Sequence, residues 1–365
     1  MNEYNRIHTS DRNLFKQCRR KWDYQSPLRQ NLQMKDAFNS YFWFGTGFHF
    51  ALEDYHGYNR FGSPITAFQA YYDCFEPEQL TMDCEALATM APGMFAHYVD
   101  DWLPKRKPFK TLWVDGKPQV EVEVIFELKA LTKEMGRPIY YSMKFDRVVT
   151  DELGRIWILD YKTAARFDTE KLETDPQISV YSWGAEIYYQ KPIEGMLYLQ
   201  FKKALIKEPK ILKRPEGALS IDKKQNTNYY KYLQALEFRY GCLADVPPEN
   251  LETLEHFRLQ ESELGDEFIR YDLVRRNKIS KRKQYDYILQ ESRDMLNKDL
   301  PLYPNPSINC YRQCNFRSAC LAEEDGLDSK FIIDNNYEQR KGEDKEWKNK
   351  IVWPKQSQKT SQMAQ

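Results

Sequence analysis

The sequence predicts an α/β protein whose core runs in the order helix, three strands, helix, strand, around a mixed sheet. Three observations lead to this fold class. Apolar residues recur at helical spacing up to about residue 103, and after residue 108 the period changes to the alternation typical of strands. A marked helix start follows the third predicted strand, with Thr174 or Asp175 as N-cap and Pro176 at the first helical position. A further apolar run, 196–206, then predicts the last strand.

The N-terminal third is predicted to be helical. Apolar residues at helical spacing occur over 10–30, 38–57 and 65–103. Ser10 or Asp11 can cap the first of these helices, because both side chains accept hydrogen bonds from exposed backbone amides.

The middle of the chain supplies the predicted sheet. Strands are expected at 118–128, 139–150, 155–163 and 196–206, with a helix at 174–189 between the last two. The four residues "DELG" (151–154) predict a tight turn between the second and third strands. Beyond them, residues 223–300 are expected to be largely helical, and 301–320 loop-like and rich in cysteine.

Length and composition limit the possible classes. With 365 residues, 41% hydrophobic and 15% aromatic, the chain can bury a large core. A formal net charge of zero argues against a global attraction to polyanions. The sequence has neither an apolar run of about 18 residues nor a signal-peptide-like start, so we expect no membrane association and a cytoplasmic location. We expect one domain over 1–335, comprising a core of about 38–206 with a helical insertion at about 60–103, a C-terminal helical and cysteine region at 223–325, and a disordered tail at 336–365.

A carboxylate and a lysine end the third predicted strand. Because side chains alternate along a strand, Asp160 and Lys162 share one face, and Asp146 lies late on the neighbouring strand. Two such carboxylates can hold Mg²⁺ or Mn²⁺, with the Tyr161 carbonyl oxygen as a further hard ligand. Lys162 could then orient the attacking water in the hydrolysis of a phosphodiester. The alternative is an ordinary edge-strand ion pair, since Asp-x-Lys also occurs at Asp115–Lys117 and elsewhere.

Two helices carry further candidates. Gly45, His49 and Glu53 are spaced by four, so a helix places them on one face. His49 is therefore either a buried histidine with a partner or a ligand. Gln177 and Tyr181 lie one turn apart on the helix after Lys162, as part of an ordinary amphipathic helix or beside a substrate.

Three of the seven cysteines lie within eleven residues, as Cys310, Cys314 and Cys320. Such a loop favours a soft metal centre, with Cys18 on the N-terminal helix as the fourth ligand. Four thiolates fit either Zn²⁺ or an iron–sulfur cluster.

Four ordered motifs carry a resemblance to a known family. The stretches "FGTGFHFALE", "MKFDRVV", "ILDYKTA" and "DPQISVY" resemble the successive motifs of RecB-type nuclease domains in the PD-(D/E)xK superfamily. The resemblance implies a restriction-endonuclease-like core, with metal ligands His49, Asp146 and Asp160 and the catalytic lysine Lys162. It also implies that Gln177 and Tyr181 form the motif that follows.

The resemblance extends to cofactor and activity. A distant N-terminal cysteine with a C-terminal triplet resembles the [4Fe–4S] centre of AddB-type nuclease domains and of CRISPR-adaptation nucleases. It therefore implies a [4Fe–4S] cluster at Cys18, Cys310, Cys314 and Cys320, with Zn²⁺ as the alternative. It further implies a DNA exonuclease that acts on ends or single strands. The competing hypothesis is a non-catalytic nucleic-acid-binding subunit with a structural four-cysteine metal site.

A basic segment is the predicted contact with DNA. Between residues 270 and 286 tyrosines lie among several basic side chains, a composition that can neutralise phosphates and stack on unpaired bases. The residues proposed for this contact are Arg275, Arg276, Lys278, Lys281 and Arg282. A solvated helix face is the alternative. The sequence contains no G-x-x-x-x-G-K-[ST] phosphate loop, so a helicase or recombination partner would be a separate chain.

Overall fold

The N-terminal half of the chain forms a layer of helices and most of the strands of the central sheet. The computed structural model describes residues 5–35, 38–106, 109–167, 169–214, 217–261, 265–312, 314–340 and 346–354. In chain order, its elements up to residue 150 are β1 (Arg6–His8), α1 (Thr9–Gln17), α2 (Arg19–Gln25), β2 (Leu32–Met34), α3 (Ser40–His56), α4 (Pro64–Tyr72), α5 (Met82–Ala96), a π-helical stretch (His97–Trp102), α6 (Leu103–Lys105), β3 (Lys110–Thr111), β4 (Trp113–Val114), β5 (Lys117–Pro118), β6 (Val120–Glu127), α7 (Lys129–Met135) and β7 (Tyr140–Thr150).

The C-terminal half completes the sheet and then covers it. Its elements are β8 (Ile156–Ala164), α8 (Pro176–Tyr189), β9 (Ile193–Lys202), α9 (Tyr229–Tyr240), α10 (Pro248–Gln260), β10 (Ile269–Val274), α11 (Lys278–Leu296), α12 (Ile308–Arg312), α13 (Arg317–Glu324), α14 (Ser329–Asn336), β11 (Tyr337–Gln339) and α15 (Glu346–Lys350), with short 3₁₀ turns between some of them. None of the described helices is both long and apolar enough to cross a membrane.

A seven-stranded mixed sheet forms the centre. Its strand order is β1-β7-β8-β9-β10, and β3 and β6 also pair with β7. Strands β8 and β9 are parallel, with Asp160 opposite Tyr198 and Lys162 opposite Gln200. A parallel pair needs a long crossover, and α8 supplies it. The carboxyl ends of β8 and β9 therefore lie side by side, directly beyond the Asp-x-Lys motif.

Each face of the sheet packs on a different core. We call the core beneath α3, α4 and α5 the α3-face core, to which Trp157, Leu159 and Tyr161 of β8 contribute. The core beneath α8 and α11 is the α8-face core, and it contains Ile156 and Ile158. Side chains along β8 point alternately to the two faces because the strand is pleated. A single layer of strands therefore separates the two cores.

The predicted fold class is confirmed. Helix α3, strands β6, β7 and β8, helix α8 and strand β9 follow one another in the expected order around a mixed sheet. The N-cap of α8 is Asp175, whose side chain accepts a hydrogen bond from the Gln177 amide, and Pro176 occupies the first helical position as predicted.

Three local predictions were wrong. The helix expected over 10–30 is two helices, because Cys18 between them has extended backbone angles and caps the second. Ser10 and Asp11 lie inside α1, whose N-cap is His8. The stretch expected to be largely helical, 223–300, contains α9, α10 and α11 together with strand β10, which pairs with β9 as the edge of the sheet. The cysteine region expected to be a loop contains α12 and α13.

The expected disordered tail is ordered in the part that the structure describes. Strand β11 pairs with β2 in antiparallel register, and Tyr337 is 4% exposed. Trp347 and Ile351 are buried in the α3-face core, where the Trp347 ring lies 5.1 Å from that of Phe50. The same apolar burial that stabilises the main core therefore holds this segment. Residues 341–345 and 355–365, to which the prediction also applied, lie outside the described residues.

Candidate active site

Three elements bring metal-ligating side chains together on the α3 side of the sheet. His49 of α3, Glu121 of β6 and Asp146 of β7 each offer a ligand atom, and all three atoms lie within 4.8 Å of one another. The His49 Nδ1 lies 3.5 Å from the Asp146 Oδ2. The Tyr161 amide donates a hydrogen bond of 2.8 Å to the same carboxylate oxygen, which fixes Asp146 to the next strand. An imidazole and two carboxylates suit a divalent cation such as Mn²⁺ or Mg²⁺.

Irregular strand geometry positions the two carboxylates. Phe145 and Val148 both pack in the α8-face core although they are three residues apart, so the alternation of β7 slips by one residue at Asp146 and Arg147. On the neighbouring strand, Glu121 has a φ of +49°, in the left-handed region that non-glycine residues seldom adopt. Such strain persists where the surrounding structure enforces it, and it is concentrated at functional sites.

The Asp-x-Lys motif forms an ion pair next to this group, between a buried aspartate and a half-buried lysine. The Lys162 Nζ lies 2.6 Å from the Asp160 Oδ2, and Asp160 is 3% exposed. Gln177 of α8 lies on the far side of Asp160, with its Nε2 3.5 Å from the Asp160 Oδ1. In the described part of the chain, the three-ligand group with mutual distances of 4.8 Å or less consists of His49, Glu121 and Asp146. Asp160, which we expected among the ligands, thus lies beside the group and is paired with Lys162.

The protonation of these residues is strongly interdependent. Burial raises the pKa of Asp160 to about 6, with a contribution from the negative charge of Asp146, while Lys162 opposes both effects. For Asp146, burial alone would raise the pKa, but His49 and Lys162 lower it below the ordinary value.

The pKa values of the two nitrogen bases, His49 and Lys162, are both raised. Burial would lower the pKa of His49, but Asp146 raises it above its ordinary value. Burial would likewise lower the pKa of Lys162, but Asp160 and Asp146 raise it. The site therefore gathers three carboxylates around one ammonium and one imidazole, and a divalent cation would compensate the remaining negative charge.

Tyr161 and Tyr181 lie behind the site. The Tyr161 ring is buried in the α3-face core, 6.0 Å from the His49 ring, and its hydroxyl accepts a hydrogen bond of 3.4 Å from Arg147. Its carbonyl stays a predicted ligand. Tyr181 is 9% exposed, with its ring 5.3 Å from that of Phe145. Burial, followed by the negative charge of Asp160, raises the pKa of Tyr181, so this hydroxyl stays protonated.

The basic segment has a different role from the one predicted for several of its members. Lys281 is 7% exposed, and its Nζ donates to Glu186 at 2.6 Å and to the Ile193 carbonyl at 3.0 Å. We therefore correct the prediction that Lys281 contacts DNA, because its charge is used inside the fold.

The other four basic side chains are divided between packing and solvent. Arg276 donates to the Leu172 carbonyl at 2.6 Å and to Ser179 at 3.1 Å, which holds the start of α8. Arg275 forms an ion pair with Glu194 at 2.8 Å. Lys278 and Arg282 are exposed, so they stay available for phosphates.

All four candidate cluster ligands can be related to one another by the contacts and charge interactions they make. The Asn305 amide donates to the Cys18 Sγ at 3.4 Å, and the Cys310 thiol donates to the Asn305 carbonyl at 3.8 Å. Burial raises the pKa of the Cys320 thiol to about 11, and the neighbouring Cys18 and Cys314 add to this shift. The four cysteines are thus gathered where α1 meets the C-terminal region. Among the described residues, no three cysteine sulfurs lie within 4.8 Å of one another.

The sequence analysis missed Glu121. It lies in the alternating stretch "VEVEVIFE", which predicted a strand and to which no site residue was assigned. The signal that could have found it is its place on the strand before Asp146, since adjacent strands lie about 5 Å apart. Glu53, one turn beyond His49, also faces this group: burial and then the charge of Glu121 raise the pKa of Glu53.

Comparison with known proteins gives one match. The model of the PD-(D/E)XK nuclease superfamily matches residues 9–321, which include all the residues of the site described above. A search of curated proteins finds no significant match.

Proposed function

The chain belongs to the PD-(D/E)XK nuclease superfamily, and from this premise we propose that it is a DNA exonuclease that uses Mg²⁺ or Mn²⁺. The observation that supports this most directly is the group of His49, Glu121 and Asp146 within 4.8 Å, next to the Asp160–Lys162 pair. An edge-strand ion pair alone, which was the alternative, does not account for three further ligand groups on separate elements.

Each residue has a role that its contacts support. His49, Glu121, Asp146 and Asp160 would hold the cation, which polarises the scissile phosphate and lowers the pKa of a bound water. The Lys162 ammonium, kept protonated by two carboxylates, stabilises negative charge on the phosphate. Gln177 is within reach of Asp160 and is able to orient it or to donate to the substrate.

The experiment is the digestion of end-labelled single- and double-stranded DNA and of circular single-stranded DNA, with Mn²⁺ or with EDTA. We expect shortening of the linear substrates with Mn²⁺, no loss of the circle, and no reaction with EDTA. Asp160→Asn and Lys162→Met should abolish the reaction while the melting temperature shows a folded protein.

Matched controls come from a second Asp-x-Lys on the surface. Asp115 and Lys117 are exposed in the β4–β5 hairpin, so Asp115→Asn and Lys117→Met should keep full activity. Full activity of the Asp160 or Lys162 variant would end the proposal. Binding of DNA without cleavage by the wild-type protein would instead support a non-catalytic binding subunit.

We also propose that Cys18, Cys310, Cys314 and Cys320 hold a structural [4Fe–4S] cluster. A tetrahedral zinc site, with Zn–S bonds of about 2.3 Å, brings its sulfurs to within about 3.8 Å of one another. The proposal of a cluster rests on the resemblance of the cysteine pattern, and the bound metal itself distinguishes the two centres. Iron and sulfide analysis of protein purified without oxygen tests this: zinc in place of iron would refute the cluster, and Cys310→Ser should lose the bound metal while Cys242→Ser, at an exposed cysteine, should not.

The remaining basic side chains give a narrower proposal for DNA contact. Lys278 and Arg282 project from the start of α11 into solvent. Charge reversal of both should weaken DNA binding and flatten its salt dependence, because each phosphate contact contributes to the salt slope. Unchanged binding would refute this contact. Unwinding of a duplex would require a separate partner chain.

A further inference from the structure

Two adjacent aromatic side chains at the start of α3 are exposed. Tyr41 is 60% exposed and Phe42 73% exposed, whereas the following aromatics of the same helix, Trp43, Phe44 and Phe48, are at most 4% exposed. Aromatic residues are only moderate helix formers, so helix propensity does not explain this pair. Since large apolar side chains next to each other at a surface usually mark a contact, we call Tyr41 and Phe42 the aromatic ledge.

The ledge lies at the same edge of the sheet as the Asp-x-Lys motif. The Lys203 Nζ lies 4.2 Å from the centre of the Tyr41 ring. The Lys203 amide donates at 2.8 Å to the carbonyl of Ala164, the last residue of β8, two residues beyond Lys162. A cation and an aromatic ring are therefore paired at the carboxyl ends of the two parallel strands.

An open path along α3 joins the ledge to the candidate metal ligands. Tyr41, Gly45 and His49 are spaced by four and share one face of the helix. A Cβ placed on Gly45 would find no heavy atom of the described residues within 4 Å, so the helix surface between the two sites is open at this position. At 1.5 Å per residue, Tyr41 and His49 are about 12 Å apart along the axis, a distance that a strand covers in a few nucleotides.

We propose that the ledge stacks an unpaired base of a single-stranded nucleic acid whose next phosphates run past Gly45 to the metal ligands. This inference rests on the proposed function and assigns positioning residues to it. Base–aromatic stacking is tolerant of sequence, and Lys203 beside the ring neutralises a phosphate of the same strand. The combination of an exposed ring, a paired cation and an open path to a hydrolytic site fits an unpaired strand better than an apolar protein surface.

The first experiment measures binding without cleavage. Labelled oligo(dT) and oligo(U) are titrated against the full-length protein in EDTA, at several salt concentrations. Tyr41→Ala should weaken binding about 5- to 100-fold with an unchanged salt slope, because it removes stacking and no charge. Lys203→Gln should instead reduce the slope by about 0.7, the value for one phosphate of a single strand. Tyr41→Phe should bind like wild type, and Phe238→Ala, at a 94% exposed ring on α9, is the control that should change nothing.

A second variant separates binding from folding. Gly45→Leu enters open space and replaces a poor helix former, so the melting temperature should rise while binding weakens. In an oligonucleotide with one 2-aminopurine, fluorescence should be quenched by wild type at one position from the end and not by Tyr41→Ala.

The outcomes distinguish this inference from the proposed function. If DNA is digested with Mn²⁺ but Tyr41→Ala and Gly45→Leu bind and quench like wild type, the ledge hypothesis is wrong and the nuclease stands. If binding depends on Tyr41 but nothing is digested, the ledge stands and the nuclease fails. Equal binding of blunt duplex and single strand by both wild type and Tyr41→Ala would also refute the ledge.

Discussion

The variant Glu121→Gln tests whether Glu121 is a metal ligand or only a structural acid, because its expected effects on stability and on metal affinity have opposite signs. In the metal-free protein, Glu121 lies within 4.8 Å of Asp146. Two unit charges at that distance repel by about 3.5 kcal/mol when the effective dielectric constant is about 20. Removing the charge relieves this repulsion. It also removes an ion pair with Lys144, for which the loss is up to about 1 kcal/mol, and an attraction to His49.

The expected balance is therefore a more stable metal-free protein. We expect Glu121→Gln to raise the free energy of unfolding by about 1–2 kcal/mol in EDTA. With Mn²⁺ the sign changes, because the cation loses a ligand: even outer-shell partners contribute about 10–100-fold to affinity, so Mn²⁺ should bind about 100-fold more weakly. Wild type should gain more stability than the variant when Mn²⁺ is added.

Urea denaturation with and without Mn²⁺, and calorimetric titration of Mn²⁺, measure both effects. The matched control is Glu123→Gln, two residues along β6, where the side chain is 49% exposed and pairs with Arg6. That variant should change stability by no more than about 0.5 kcal/mol and leave Mn²⁺ affinity unaltered. A Glu121→Gln protein that is less stable in EDTA and binds Mn²⁺ normally would refute the reasoning.

Three further changes test the supporting structure. Arg276→Met removes the hydrogen bonds that hold the start of α8, so kcat should fall through misplacement of Gln177 while Mn²⁺ affinity is kept; a changed affinity with normal kcat would contradict this. For His97, burial would lower the pKa, but Asp266 raises it above 6.5, so its proton stabilises the folded protein at low pH and this stability is lost as the pH rises through the raised value. His97→Gln should therefore lower the urea midpoint more at about pH 5.5 than at about pH 8.5, and an equal loss at both would contradict the assignment. Gly195→Ala would place a Cβ 2.4 Å from the carbonyl oxygen of residue 274, so β9 and β10 must shift. We expect the free energy of unfolding, measured by heat or urea, to fall by about 1–3 kcal/mol. A wild-type melting temperature would contradict this expectation.

The sequence was most informative where local pattern decides the structure. Alternation along β8 placed Asp160 and Lys162 on one face, and the structure brings their charged atoms to 2.6 Å. The helix start at Pro176 followed from cap chemistry within three residues. In both cases the relevant interactions lie within a few residues of each other, so a single stretch contains the whole argument.

The sequence was least informative where distant segments decide. Lys281 was wrongly predicted to contact DNA because its partner Glu186 lies 95 residues earlier, and charge alone does not identify a buried pair. Glu121 was missed because its own backbone is left-handed, which turns its side chain out of the regular alternation of the strand. Composition does not predict such a conformation for a glutamate. The break at Cys18 was missed because its extended backbone serves the N-cap of the second helix and the contact with Asn305, 287 residues away.

The pairing of β2 with β11 has a consequence for how the protein is made. Gln33 donates a hydrogen bond to Glu338, which lies 305 residues further along the chain, and Trp347 packs against the helix that carries His49. On the ribosome, every residue of the catalytic group emerges before this last segment does. We therefore expect nascent chains to remain incompletely folded until synthesis has passed residue 351, so that the site becomes fully supported only after this segment has emerged.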